Sequence, residues 1–244
     1  MRPLPIPPAI SQLHRKMTAF QSHVSYRRGL QRYRERYGFG PPPAWSDVTR
    51  YEPMLDVILN RELCSLDGDF LEIGAFFGGG TYKLSNILRI HAPSRKVVAV
   101  DVFDPGFDQT LCSEGVAMAE VYDAWLANQT GLANRQASQR EIFDLVTKRC
   151  TNVEVIVGDS TKVIIPTERL AFSFIDGHHA SEYVLKDFAT AWERTVPGGV
   201  VALHDYGHDL PSVTRTVHSL IGKHTGQIGR VWTENIIVFL QRDA

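Results

Sequence analysis

No apolar run in the 244-residue chain approaches the roughly 18 to 20 residues needed to cross a bilayer, so no membrane partner is expected. Neither sign of charge is in excess. The 26 Lys and Arg against 27 Asp and Glu leave a formal charge of −1. A general nucleic-acid binder needs a net basic face, so no nucleic-acid partner is expected either. Cysteine is scarce: Cys64, Cys112 and Cys150 are odd in number, lack metal-ligand spacing and read as reduced thiols. Cys64 and Cys150 sit in apolar patterns, which places them in the core. Residues 1–8 are proline-rich without the apolar stretch of a signal peptide, so the expected compartment is cytoplasmic. Internal repeats and low-complexity segments are missing, and so is the G-x-G-x-x-G fingerprint of dinucleotide enzymes.

What is present centres on residues 69–81. Phe70, Leu71 and Ile73 form a short apolar run of the kind a buried strand shows, with acidic Glu72 inside it. Gly74, two aromatics and the triplet Gly78-Gly79-Gly80 follow. Tyr82, Leu84, Leu88 and Ile90 then recur at helical spacing. Strand, glycine turn, helix is the opening unit of a doubly wound nucleotide-binding domain, where backbone approaches ligand and a Cβ would intrude. A plain strand-to-helix turn would also use glycine.

Further along, apolar runs alternate with helical patterns, the signature of a parallel sheet. Residues 96–101, 153–159, 170–176 and 199–205 read as four more strands, residues 213–224 as a helix, and residues 229–232 and 235–240 as a closing hairpin. The expected fold is therefore α/β: a doubly wound, Rossmann-like, seven-stranded sheet, mostly parallel, with an antiparallel strand near the C-terminus. A long insertion, about residues 103–150, carries helical patterns at 116–125 and 139–148; insertions of that size tend to be lids or walls. Residues 1–45 differ. Leu13, Met17, Phe20 and Val24 mark one helical face, and residues 26–37 are dense in Arg and Tyr. This predicts an N-terminal helical arm over 1–45, packed on the domain of residues 46–244 or on a second subunit, with a homodimer or higher homo-oligomer as the expected assembly.

Four strands in succession end in an acidic residue: Asp101, Asp159, Asp176 and Asp205. Ligands of an open parallel sheet bind beyond the carboxyl ends of its strands, and carboxylates are tolerated there. One such Asp is easily a helix N-cap, but four beside a glycine turn exceed that explanation. Asp101 stands where a ribose-binding acid belongs. Asp159-Ser160 reaches an adenine edge or caps a helix. Asp176, His178, His179, His204 and Asp205 crowd two neighbouring strand ends, and oxygen plus imidazole donors suit a divalent cation.

The runs Leu71–Gly79, Ile175-Asp176-Gly177-His178-His179, Pro197-Gly198-Gly199 and His204-Asp205-Tyr206 together resemble the class I S-adenosylmethionine-dependent methyltransferases. The branch most similar contains the macrolide-sugar O-methyltransferases and the cephalosporin-pathway methyltransferase, and the likeness covers roughly residues 50–240. It implies that Glu72, Gly74 and Gly78, with Ala75, Phe76 and Thr81, line the methionine and ribose part of the cofactor. It likewise implies that Asp101 and Val102 hold the ribose, that Asp159 and Ser160 sit at the adenine, and that Asp176 faces the cofactor. Asp176, His204 and Asp205 fall where relatives bind Mg²⁺, and His179 matches a proposed general base. An acidic residue is usual where this chain has His204. Since Mg²⁺ tolerates imidazole poorly, the expected ion is Mg²⁺ or the softer Mn²⁺, or else His204 is itself a base.

The implied activity is O-methylation of a small-molecule hydroxyl, on a sugar or natural-product intermediate, with cation assistance. His179, His204 and Asp176 are the expected catalytic groups. Two other readings stay open: a non-haem Fe(II) oxygenase using Asp176, His179 and His204, and a non-catalytic adenosyl-binding module that works as an assembly partner through its arm.

Overall fold

A computed structural model describes residues 26–46, 51–132 and 137–243. Two units divide the chain at Pro41 and Pro42. In the first, residues 26–37 are helical (α1), and Gly38, in the left-handed region, ends the helix by donating its N–H to the Arg34 carbonyl. Tyr33 meets Tyr37 and Phe39 edge-on, with ring centroids 4.7 and 5.8 Å apart. The helix expected over Leu13–Val24 lies outside the described residues.

The second unit holds the sheet. A short helix, α2 (Glu52–Asn60), opens on Pro53 and leads to β1 (Asp69–Ile73). Then follow α3 (Gly79–His91), β2 (Val97–Asp101), α4 (Met118–Leu132), α5 (Gln139–Thr147), β3 (Val153–Val157) and β4 (Leu170–Ile175). The chain closes with α6 (Ser181–Arg194), β5 (Thr195–Leu203), α7 (Pro211–Lys223), β6 (Ile228–Glu234) and β7 (Ile237–Arg242). The sheet order is β3-β2-β1-β4-β5-β7-β6. Strands β1 to β5 pair in parallel, while β7 runs antiparallel to both β5 and β6. This is the expected seven-stranded doubly wound sheet. Because the chain leaves β1 towards β2 on one side and returns to β4 on the other, the two connections diverge between β1 and β4 and open a crevice at their carboxyl ends.

The central strands are mostly apolar because helices cover both faces. β4 is buried along its whole length; Ile175 packs with side chains of β1, β5 and α6, while Phe172 meets Phe70 and Phe174 meets Tyr51 edge-on. Two expectations need correction. β5 starts at Thr195, so Pro197, Gly198 and Gly199 lie within the strand. Pro197 is tolerated there at a register shift against β4, where no ladder bond is lost. Cys64 and Cys150 are half-buried rather than core; burial still pushes the Cys64 thiol up to about 11.

In the insertion, Ser138 and Glu141 cap each other's backbone N–H groups and fix where α5 starts. On α6, Asp187 is 1% exposed beneath the turn that follows β4, and neither of its oxygens completes a hydrogen bond. Burial raises its carboxyl to about 7, a shift that the nearby Ser160 hydroxyl softens. A folded-state pKa above the unfolded value means that the native state holds the proton longer. Stability is then full below about pH 4 and falls as pH rises towards 7, by on the order of 4 kcal/mol. Asp187→Asn is expected to flatten that slope and to raise the melting temperature at pH 8, as thermal melts between pH 4 and 8 would record.

Candidate active site

The turn after β1 is shaped by two absent side chains. Gly74 has φ +89°, and a Cβ there would lie 2.0 Å from the Asp176 carbonyl oxygen. The Asp176 N–H also donates to the Ile73 carbonyl at 2.8 Å, so the ends of β1 and β4 touch backbone to backbone. At Gly80 a Cβ would meet Glu72 Oε1 at 2.1 Å. Glu72 is thus folded under the turn, 1% exposed, accepting from the Thr81 hydroxyl, and burial pushes its carboxyl up to about 8. With Ala75, Gly78 and Thr81, Glu72 builds the turn at the end of β1.

The crevice is an open cleft of about 900 Å³ beyond the carboxyl ends of the strands. Gly74, Phe76, Asp101, Val102, Asp159 and Ser160 line one side of it. Asp101 organises that side. Its carboxylate accepts from Phe76 N at 2.8 Å, Phe103 N at 2.6 Å and Gln139 Nε2 at 3.2 Å. Phe76 (φ 45°) and Phe103 (φ 53°) are held in the left-handed region by these bonds. Asp159 closes on its own loop, accepting from Thr161 and pairing with Lys162 at 2.7 Å, while Ser160 borders the cleft.

At the other side Asp176, His204 and Asp205 line the cleft. Tyr51 donates its hydroxyl to Asp176 Oδ2 at 2.7 Å. His204 Nδ1 lies 3.1 Å from Asp176 and 3.2 Å from Asp205. It is buried yet lacks the alignment that a hydrogen bond to either needs. His179, expected to be a base, is turned away from the cleft and has both ring nitrogens engaged. Nδ1 is 2.6 Å from Asp108 Oδ2, and Nε2 is 2.9 Å from Asp205 and 3.9 Å from Asp176. Burial works against every charge here, but pairing outweighs it. His179 sits well above its ordinary range beside Asp108, and His204 is raised to about 10 by Asp176. Asp108 is held down at about 2 by His179, and Asp205 lies well below the carboxylate range through its bond to His179 and the charge of His204 beside it.

The donor set fits a divalent cation. Ligand atoms at right angles on a cation with bonds near 2.1 Å are roughly 3 Å apart. Asp176, His179 and Asp205 each offer an atom within 4.8 Å of the others. Exchange of the two imidazole protons for one doubly charged ion would leave the charge of the cluster unchanged. The group that meets this spacing includes His179, which the expected ligand set of Asp176, His204 and Asp205 lacked.

The sequence profile of a family described as a methyltransferase domain matches residues 71–206. The chain belongs to this family, the class I S-adenosylmethionine-dependent methyltransferases. No curated protein matches the chain. Among solved structures, the O-methyltransferase NovP is 20% identical, with 79% of this chain and 77% of that one covered and a TM-score of 0.57. The calicheamicin methyltransferase CalS11 is 16% identical, with 87% and 90% covered and a TM-score of 0.53. At such identities the likeness establishes the shared fold.

For a class I methyltransferase the placements above fit the cofactor: a Cβ-free cleft floor at Gly74, with Asp101 and Ser160 along one side. Asp108, Tyr51 and Gln139 were not singled out in the sequence. Asp108 and Tyr51 reach their partners across 71 and 125 residues, which no local pattern encodes. Gln139 had one available signal, the Ser138–Glu141 capping box that puts it at the first helical position. Among the described residues no helix is long and apolar enough to cross a membrane.

Gly74→Ala tests the β1–β4 junction. It would combine left-handed strain with a backbone clash, so it is expected to cost roughly 3 kcal/mol or more and to abolish S-adenosylmethionine binding. Denaturant titration and calorimetry would measure both.

Proposed function

We propose that the protein transfers a methyl group from S-adenosylmethionine to a hydroxyl oxygen of an uncharged small molecule, a sugar or a ring-bearing natural-product intermediate, with help from a divalent cation. The observation that carries this reading is the carboxylate–imidazole cluster of Asp176, His179, His204 and Asp205 at one side of a methyltransferase cleft. A cluster of this composition suits activation of a hydroxyl. The charged side chains along the cleft are aspartates, and among the described residues no lysine or arginine lines it, which disfavours a polyphosphate or RNA acceptor. Phe76 lies 5.3 Å from Tyr122 and 5.9 Å from Trp125, an aromatic wall suited to a flat or sugar ring. NovP is named as an O-methyltransferase and CalS11 as a TDP-rhamnose 3'-O-methyltransferase, which supports oxygen as the acceptor atom, though the diphosphate of TDP-rhamnose sets that acceptor apart from the one proposed here.

In-line displacement at the sulfonium methyl requires the acceptor oxygen near 3 Å from the methyl carbon, so positioning supplies much of the rate. Asp101 holds the turn that faces the cofactor, and Tyr51 fixes Asp176 at the acceptor side. His204 takes the role first expected of His179. It lines the cleft, and Asp176 and Asp205 hold it charged; only once a bound cation has displaced that proton would the neutral ring be placed to accept the hydroxyl proton. A bound cation would lower the pKa of the hydroxyl and balance the developing alkoxide. Asp176, His179 and Asp205 would hold it.

Calorimetry with S-adenosylmethionine is expected to show micromolar binding, and absence of binding would reject the methyltransferase reading. In methyl-transfer assays over a panel of hydroxylated sugars and aromatic glycosides, His204→Ala and Asp205→Asn are each expected to lower turnover by roughly 10² to 10³. EDTA should do the same, reversed by Mn²⁺. Turnover indifferent to EDTA would remove the cation from the mechanism.

A further inference from the structure

The insertion does more than wall the cleft. Asp108 lies in the loop between β2 and α4, yet it is 4% exposed and grips His179 twice. Its Oδ2 accepts from the His179 backbone N–H at 3.1 Å and faces Nδ1 at 2.6 Å. The loop is tied down in turn. Asp108 Oδ1 accepts from Thr110 N at 2.9 Å, its carbonyl accepts from Ala119 N at 2.8 Å, and Leu111 bridges to Ala117. A carboxylate opposite Nδ1 requires that nitrogen to keep its proton, so the proton given up to an incoming cation would leave from Nε2 and free its lone pair beside Asp176 and Asp205. At the same spot the buried Nδ1 of His204, a residue 6% exposed, points between those two carboxylates without a hydrogen-bond partner, which marks a ligand atom as missing from the cluster.

We propose that Asp108 is the positioning residue of the cation site: it fixes the His179 tautomer and ring, so that Nε2 serves as the third protein donor with Asp176 and Asp205, and the insertion thereby controls cation occupancy. This rests on the cation-assisted reading given above. An imidazole donor held by an outer carboxylate favours Mn²⁺ over Mg²⁺, because imidazole suits the softer ion.

The test uses the full chain without cofactor and titrates it with Mn²⁺, read by calorimetry and by electron paramagnetic resonance. The wild type is expected to bind one Mn²⁺ with a nitrogen hyperfine coupling that His179→Gln removes. Asp108→Asn places an amide N–H against the N–H of either Thr110 or His179. It is expected to weaken Mn²⁺ binding about 10- to 100-fold and to reduce the nitrogen coupling, while the affinity for S-adenosylmethionine changes little and the metal-free melting temperature falls modestly through the lost buried hydrogen bond. Asp108→Ala, should it fold, is expected to fall at the weaker end of that range. Wild-type Mn²⁺ affinity in Asp108→Asn, or a nitrogen coupling that survives His179→Gln, would overturn the assignment. A wild type that binds S-adenosylmethionine but no Mn²⁺ would overturn the cation site and leave the methyltransferase reading standing. One that binds neither would end both.

Discussion

Everything at the active site depends on the backbone contact between the end of β1 and the end of β4. Only a residue without a Cβ fits at Gly74, because an alanine Cβ there would lie 2.0 Å from the Asp176 carbonyl oxygen. The contact locks the glycine turn to the strand end that carries Asp176 and sets the floor of the cleft between the Asp101 side and the Asp176 side. Tyr51 then reaches Asp176, and β5, in register beside β4, delivers His204 and Asp205 next to it. A shift of one residue in either strand would turn Asp176 or His204 into the sheet faces, where helices leave no room for charge.

The cluster is electrostatically expensive. Buried Asp108, half-buried Asp176 and Asp205 and two buried imidazoles are packed together, and their charges are offset chiefly by one another. Buried ion pairs of this kind seldom add stability compared with apolar packing, and removal of one partner exposes the full desolvation cost of the rest. Such an arrangement persists where function requires it. The same holds on the opposite side of the cleft, where Phe76 and Phe103 accept left-handed backbone so that Asp101 can pin both loops. Strain and paired charge gather at the rim of the crevice, while the strands beneath it are mostly apolar.

Most of the sheet was legible because its signals are local. Apolar runs of five or six residues, an acid at each strand end and the glycine turn gave the strands, and the alternation with helical patterns gave parallel pairing. The closing hairpin was legible too, from two apolar strands on either side of a short polar turn. The boundaries of β5 were not, since Pro197-Gly198-Gly199 reads as a turn and is held in the strand only by a register shift against β4. The half-burial of Cys64 and Cys150 escaped the sequence as well, because an apolar pattern shows a face without showing how deeply it is covered.

By itself, then, the sequence determined a doubly wound sheet with acids and histidines gathered at the carboxyl ends of its strands, since strand order and strand-end position follow from periodicity and chain connection. Tertiary structure alone decided which way each side chain turns there. Glu72 went under the turn because Gly80 left room for it. His179 turned from the cleft because Asp108, 71 residues away in sequence, holds its ring. His204 kept an unpartnered nitrogen at the cleft wall because two carboxylates flank it without aligning to it. Those orientations come from contacts between distant segments, and no local pattern of residues records them.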